Sequence, residues 1–266
     1  SIDIKIEPFH DLTDPTFVED INATMDSVDA MLMAFDCKTT SRIREKPIPH
    51  AKFCPKPLRN KDNLWGLPGL SKKDQEKVHA ANKLVRMGAP MMETLRKLGG
   101  AALAESPKNA WLWDLFEDMG QVSKETGWMD SLYEACIHNS ARAKSQRIRH
   151  CVEELRCIQG SCRHQHAPDE WEVIVGGDGS QHFPSTEEAE YTAELVFNFA
   201  YALSMWALRT RGYKMRMLRP PSPQEHGDRR QYLTMAPEAF RSAHMIAVAI
   251  RSGIDIEEWA NRTYPR

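Results

Sequence analysis

Two predicted strands are each followed by a side chain of a type that suits covalent chemistry. Cys37 follows a near-continuous apolar run over residues 28–34, and Glu105 follows a second short apolar run over residues 101–104. A thiolate is a nucleophile, and a carboxyl group exchanges protons with a reacting group. Because the carboxyl ends of strands in an open parallel sheet line the binding crevice, we expect the thiol and the carboxylate at one edge. The alternative for each is structural: a small buried cysteine, and a solvated or capping glutamate.

A strongly basic segment begins directly after Cys37. Residues 38–73 contain ten Lys and Arg against two acidic side chains, a local net charge of +8 in a chain whose net charge is −2. Local positive charge of this kind favours a surface that faces a polyanion, and a solvated loop is the alternative. The cations that we predict to contact nucleic acid are Lys38, Arg42, Arg44, Lys56, Arg59 and Lys61.

A third group of chemically reactive side chains lies within the ten residues from 157 to 166. Cys157 and Cys162 are followed by His164 and His166, which are alternate residues and share one face if that segment is extended. The two histidines are closer together than the His-x3–5-His spacing of structural zinc sites. A polar surface turn is therefore favoured over a metal site here, and zinc is not expected.

The elements that must position these residues begin with a pattern typical of a βαβ unit. A strand is predicted over residues 2–6, a helix opened by Asp14 and Pro15 follows, and a buried strand covers residues 28–34. The crossover of such a unit is right-handed and joins parallel strands. The start of the chain therefore predicts a parallel sheet.

The remaining elements predict an α/β part followed by a mainly helical part. A proline-rich loop over residues 36–70 leads to Ser71, which caps a long helix that ends at Gly99-Gly100. The later predicted elements are strands at 101–104, near 131–135 and near 147–151, and helices over 185–209 and 236–250. Trp111, Trp113 and Phe116 are expected to pack a short helix onto the sheet. We expect an α/β domain over residues 1–168 and a helical region over 169–266.

Composition argues against membrane and secreted classes. No window holds the ~20 apolar residues that cross a bilayer. The six cysteines do not form the pattern of a disulfide framework. The first residues have neither the basic nor the apolar region of a signal peptide. An intracellular location is expected, nuclear in a eukaryote, with no membrane partner.

Three short motifs, in this order, resemble those of the DNA cytosine-5 methyltransferases. Asp36-Cys37-Lys38-Thr39-Thr40-Ser41 resembles their proline-cysteine-glutamine loop, and Glu105-Ser106-Pro107 resembles their glutamate-asparagine-valine motif. Gln146-Arg147-Ile148-Arg149 is similar to their glutamine-x-arginine-x-arginine strand. The resemblance covers about residues 2–166 and is closest to methyltransferase-like reading frames of algal genomes and their mobile elements.

That resemblance implies a Rossmann-like parallel sheet of the S-adenosylmethionine-dependent methyltransferase type, incomplete at its N-terminus, with a helical C-terminal part. It implies that Cys37 attacks C6 of a cytosine flipped out of DNA, that Glu105 meets N3 of the ring, and that C5 takes a methyl group from S-adenosylmethionine. Arg147 and Arg149 would support the base or the Cys37 loop.

The chain departs from the family's motifs at three points. No phenylalanine-x-glycine-x-glycine turn, which cradles the family's cofactor, occurs in the sequence. Asp36 replaces the proline, and its carboxylate disfavours the thiolate form of the neighbouring cysteine. Ser106 replaces the asparagine. The alternative function is therefore a non-catalytic module derived from a mobile element, which binds nucleic acid or protein through the basic loop.

Overall fold

The computed structural model describes residues 11–12, 14–35, 37–46, 54–167, 172–176, 181–182, 184 and 191–211. Contacts divide the chain into two compact units, Ser1–Ala189 and Glu190–Arg266. The predicted strand over residues 2–6 and the predicted helix over 236–250 lie outside the described residues, as does Asp36.

Four strands form the sheet of the first unit, and their order is β1-β2-β4-β3. Strands β1 (Ala30–Ala34) and β2 (Ala101–Pro107) are parallel. Strand β4 (Ser145–His150) is antiparallel both to β2 and to β3 (Met129–Glu134). The α/β class is confirmed, but the expectation of a wholly parallel sheet was wrong.

The connection between β3 and β4 explains the antiparallel pairing. Only residues 135–144 join the two strands, and they include a 3₁₀ helix at Ala135–His138. A parallel pair requires a crossover of a dozen or more residues, whereas antiparallel strands are joined by short connections. The strands near 131–135 and 147–151 were therefore predicted in nearly the right place but with the wrong direction.

Two helices begin where the capping residues predict. Helix α1 (Pro15–Ala23) starts after Asp14, whose carboxylate accepts from the Thr16 amide at 2.9 Å. Helix α2 (Lys72–Lys97) starts after Ser71, whose hydroxyl accepts from the Asp74 amide at 3.2 Å. A side-chain acceptor satisfies an amide that the first helical turn leaves without a backbone partner. Local chemistry thus fixes both starts.

The core lies between one face of the sheet and helices α2 and α3 (Leu112–Asp118). Ala102 and Ala104 of β2 bring their small side chains to this face, where Leu95 and Phe116 pack with them. Trp113 contacts Phe116 edge-on, with ring centroids 6.1 Å apart. The predicted packing of this aromatic helix onto the sheet is therefore confirmed.

Strand β1 differs from its prediction as a strand buried on both faces. Ala30, Leu32 and Ala34 are exposed, and the side chain of Leu32 retains 41% of its accessible surface. Met31 and Met33 point to the other face and pack against the core. An apolar run thus indicated the strand but not the burial of its two faces, because period-2 alternation is invisible when all side chains are apolar.

The second unit contains helix α4 (Ala193–Arg211), which overlaps the helix predicted over residues 185–209. Its buried side chains follow helical spacing along one stripe: Leu195, Phe199, Ala202 and Trp206. Strands β5 (Ile174–Val175) and β6 (Gln181–His182) form a short antiparallel pair in the first unit. None of the described helices has the length and apolar character that crossing a bilayer requires.

Candidate functional site

The thiol and the carboxylate predicted at one edge come from neighbouring parallel strands. Ala34, the last residue of β1, is in register with Glu105 of β2. Cys37 follows three residues later, which is at most about 11 Å of chain. The backbone therefore brings both groups to the carboxyl edge of the parallel pair. Glu105 lies inside β2 rather than beyond its end, because the strand continues to Pro107.

Cys37 sits in a tight turn. Its carbonyl accepts hydrogen bonds from the amides of Thr40 at 3.1 Å and Ser41 at 2.8 Å. The carbonyl of Thr40 accepts from the amide of Trp111 at 2.8 Å, which attaches the turn to the start of α3. The thiol-bearing segment thus has a defined backbone conformation, and the side chain of Cys37 is half-buried.

Arg59, one of the six predicted DNA-contacting cations, is buried and donates hydrogen bonds to this turn. Its guanidinium, only 1% exposed, donates to the carbonyl and hydroxyl of Thr39, each at 3.1 Å. It also donates to the Leu64 carbonyl at 2.6 Å and to Asn82 Oδ1 at 2.7 Å. Burial lowers the pKa of Arg59 to about 10, which leaves it charged at neutral pH. Its donors are used inside the fold, so Arg59 does not belong to the DNA-facing surface.

The other five predicted cations lie nearer the surface. Lys38, Lys56 and Lys61 are exposed, and Arg42 and Arg44 are half-buried. The guanidinium of Arg42 stacks 3.6 Å from the ring centroid of Trp111 and pairs with Asp114 at 3.1 Å. Arg44 Nε donates to the Lys56 carbonyl at 2.9 Å. The three lysines are therefore the cations most accessible to a polyanion among these six.

The two arginines of the third motif lie on the opposite face of the sheet from Glu105. Arg147 and Arg149 are opposite Ser106 and Ala104 of β2, whereas Glu105 is opposite Ile148. Directly opposed residues share a face, and successive residues alternate between faces. The arginines therefore share the face of the helical core, and they do not converge with Glu105.

Arg149 is a buried structural residue. Its Nε donates to Asp130 Oδ1 at 2.8 Å, and its Nη1 donates to Glu117 at 2.6 Å and to the Val122 carbonyl at 3.1 Å. Burial alone would raise the pKa of Asp130, but the hydrogen bonds and charge of Arg149 lower it below the usual range. Arg147 packs 5.0 Å from the ring centroid of Trp113. The pair therefore stabilises the sheet and the turn around Val122.

The face of Glu105 is lined by other polar groups. Tyr133 of β3 lies on this face, and burial together with the negative charge of Glu105 raises the pKa of its hydroxyl. Glu105 itself is 7% exposed. His150 Nε2 is 2.9 Å from Ser131 Oγ, and burial lowers the pKa of His150 to about 4. A histidine with this pKa is neutral at physiological pH.

Cysteine and histidine side chains that could bind a metal lie closer together in the structure than their positions in the sequence indicate. Cys136 of the 3₁₀ helix at Ala135–His138 joins Cys162, His164 and His166, and their ligand atoms all lie within 4.8 Å of one another. Cys157, which the sequence pattern grouped with these residues, is exposed and outside the cluster. The sequence missed Cys136 because it is 26 residues before Cys162 and has no ligand-type spacing to it.

A surface depression of about 670 Å³ lies elsewhere, around the outer strand of the sheet. It is lined by Lys124, Trp128, Met129, Asp130, Arg156 and Gln159. None of these residues belongs to the motifs that resemble the methyltransferases. Comparison with known proteins gives no match: no family model, no curated protein and no solved structure is significantly similar to the chain.

Proposed function

We propose that the chain is a divergent DNA cytosine-5 methyltransferase-like protein in which Cys37 is the nucleophile and Glu105 is its carboxyl partner. The observation that carries the proposal is the parallel register of β1 and β2, in which Ala34 lies opposite Glu105. This register brings a defined thiol-bearing turn and a carboxylate to one edge of the sheet. In a eukaryote the substrate would be nuclear DNA.

In the proposed reaction, the Cys37 thiolate forms a bond to C6 of the cytosine ring. Electrons of the C5–C6 double bond move into the ring, and the carboxyl group of Glu105 donates a proton to N3. This addition makes C5 electron-rich, so that it can take the methyl group. C5 then loses its own hydrogen to water as a proton, the C5–C6 double bond re-forms, the C6–S bond breaks to release the Cys37 thiolate, and N3 returns its proton to Glu105. The target base must leave the stack before the thiol reaches it.

The arginines receive a different role from the one that the motif resemblance implies. Because Arg149 binds Asp130 of β3 and Glu117 of α3 on the core face, we assign it to the scaffold that holds β4 to these two elements. Arg147, on the same face, is assigned to the packing around Trp113. The DNA backbone would then be held by the exposed Lys38, Lys56 and Lys61.

S-adenosylmethionine supplies the methyl group when it is bound. In the family, that binding uses a glycine-rich turn directly after a strand. Among the described residues, the glycines that adopt a positive φ lie at other places, such as Gly99 before β2 and Gly127 before β3. The described part of the chain therefore does not fit the family's cofactor cradle, and the residues that would hold the methyl donor are not assigned.

Methyl transfer to duplex DNA tests the proposal. The chain is incubated with S-adenosylmethionine and duplex, and 5-methylcytosine is quantified by mass spectrometry. We expect product from the unsubstituted protein and from Cys54→Ser, whose thiol is exposed and outside the proposed site. Cys37→Ser should give none. Equal product from Cys37→Ser would show that the nucleophile is assigned wrongly.

A second candidate function is a non-catalytic nucleic-acid-binding module that descends from a mobile element. Two observations favour it: the exposure of Lys38, Lys56 and Lys61, and the separation of Glu105 from the two motif arginines onto opposite faces. This candidate predicts salt-dependent DNA binding with no methylated product. Absence of DNA binding at low salt would exclude it and leave a protein-binding role for the basic loop.

A further inference from the structure

We infer that Cys136, Cys162, His164 and His166 form a structural zinc site. All four ligand atoms already lie within 4.8 Å of one another. Two thiolates and two imidazoles are a donor set that zinc binds in tetrahedral geometry. The inference does not depend on the proposed methyltransferase function, because these residues lie outside the motifs that carry it.

The distances suit a tetrahedral ion. Zn–S bonds of about 2.3 Å and Zn–N bonds of about 2.05 Å require ligand atoms roughly 3.3–3.8 Å apart. The Cys162 sulfur and His166 Nε2 are 3.4 Å apart, which is close to the edge expected between a sulfur and a nitrogen ligand. The other ligand atoms are at most 4.8 Å apart, so bringing them to tetrahedral separations requires shifts of no more than about 1.5 Å.

The backbone explains why ligands so distant in sequence meet. The amide of Gly160 donates to the Leu132 carbonyl at 3.0 Å, and the amide of Glu134 donates to the Gly160 carbonyl at 3.1 Å. These bonds attach the segment before Cys162 to the end of β3, next to the 3₁₀ helix that carries Cys136. His138 Nε2 makes a further contact with the Ile158 carbonyl at 3.0 Å.

Gly160 lies close to the 3₁₀ helix that carries Cys136. A Cβ atom at this position would lie 2.7 Å from Cδ1 of Ile137. This is the end of a flexible side chain, so a larger residue at position 160 would require Ile137 to change its rotamer. Beyond Gly160, the backbone bends at His164, and the rings of His164 and His166 lie beside each other with centroids 4.5 Å apart.

With four protein ligands, the site has no open position for substrate, which is the pattern of structural rather than catalytic zinc. The ion would close a loop from residue 136 to residue 162 and fix the segment after Gly160 to the edge of the sheet. We therefore expect zinc removal to lower the thermal midpoint of unfolding. A disulfide between Cys136 and Cys162 is the competing arrangement, and it would give the two histidines no role.

Cobalt substitution tests the site directly. The full chain is purified in a phosphine reductant, stripped of metal and titrated with Co²⁺. We expect one equivalent to give the intense visible bands of a tetrahedral ion with thiolate ligands, and Zn²⁺ to displace it at a 1:1 ratio. Cys136→Ser and His164→Gln should each weaken binding about 100-fold or more, since each removes a direct ligand rather than an outer partner.

Cys157→Ser is the matched control, because it removes an exposed thiol from the same region. It should keep the cobalt spectrum and the affinity of the unsubstituted chain. His164 is exposed, so His164→Gln should fold normally and retain its circular dichroism spectrum. The inference is overturned if the reduced, folded chain gives no tetrahedral spectrum. It is also overturned if Cys157→Ser abolishes binding while Cys136→Ser preserves it.

Discussion

The buried guanidinium of Arg59 donates to both the carbonyl and the hydroxyl of Thr39, each at 3.1 Å, two residues after Cys37. The turn that carries the candidate nucleophile is thereby fixed to the loop before α2. The positive charge of Arg59 suggested contact with DNA, but its buried side chain instead fixes the conformation of the turn that carries Cys37. Its neighbour in the same basic run, Lys61, is exposed.

This contrast predicts unequal losses of stability for two substitutions that each remove one positive charge. Arg59→Met should lower the free energy of unfolding by about 3 kcal/mol, because it leaves several buried acceptors without a donor. Lys61→Met should change it by less than about 0.5 kcal/mol, since its side chain is solvated. Urea denaturation of both variants measures the difference. Equal stability of the two would contradict the structural role of Arg59.

The ion pair of Arg149 and Asp130 should behave as a buried pair. Arg149→Met alone should cost about 1–3 kcal/mol, because Asp130, Glu117 and the Val122 carbonyl lose a buried donor, while Lys124 at 3.0 Å and Arg147 at 3.5 Å still pair with Asp130. The double variant Arg149→Met with Asp130→Asn should regain part of that loss, since residue 130 then carries no charge, although Arg147 and Lys124 lose their partner. A double-mutant cycle by chemical denaturation measures the coupling. If the effects of the two single substitutions on the unfolding free energy simply add, Arg149 and Asp130 do not interact as proposed.

His150 predicts a specific dependence of stability on pH. Burial lowers the pKa of His150 to about 4, whereas an unfolded histidine titrates near 6.5. Between these values the unfolded chain binds the proton more readily. The stabilisation is therefore complete above about pH 6.5, falls by roughly 3 kcal/mol as the pH drops to about 4, and is constant below that.

The comparison with His150→Gln isolates this contribution. Glu93 and Asp130 also have lowered pKa values and lose stabilisation in acid, but they do so in both proteins. The unsubstituted chain should show the steeper loss of unfolding free energy between pH 6.5 and pH 4. Parallel curves for the two proteins would mean that His150 takes up its proton equally well in the folded state.

The exposed lysines predict how DNA binding responds to salt. Neutralising Lys38, Lys56 and Lys61 together should reduce the slope of log K against log salt by about 0.9 for each phosphate that no longer has a lysine partner. Fluorescence anisotropy with a labelled duplex at several salt concentrations gives the slope. Lys97→Gln, an exposed lysine at the end of α2, is the control and should leave the slope unchanged. An unchanged slope in the triple variant would show that these three lysines do not contact the DNA phosphates.

Features set by local chemistry were predicted from the sequence, and features set by pairing were not. Asp14 and Ser71 cap their helices because an N-cap needs only the next three residues. The direction of β4 depends instead on which strands it meets in space. The same applies to Cys136, which reaches the other metal-ligand types only through the pairing of Gly160 with β3.

Charge alone also failed to separate surface from interior. Arg59 and Lys61 belong to one basic run, yet only the arginine is buried. A planar guanidinium with five donors satisfies several neutral acceptors at once, whereas an ammonium on a flexible stem is better solvated by water. Arg59 finds such acceptors on Thr39, Leu64 and Asn82, which the fold brings together around it.

The most direct test of the central claim is exchange of the hydrogen at C5 of cytosine, since it needs no methyl donor. Addition of Cys37 to C6 lets C5 take a proton from water, and elimination then releases the original C5 hydrogen together with the thiolate. A duplex tritiated at C5 of cytosine should release tritium into water with the unsubstituted chain and with Cys54→Ser. Cys37→Ala should bind the duplex and release none. Equal release by Cys37→Ala, or no release by an unsubstituted chain that binds the duplex, would contradict the assignment of Cys37 as a nucleophile.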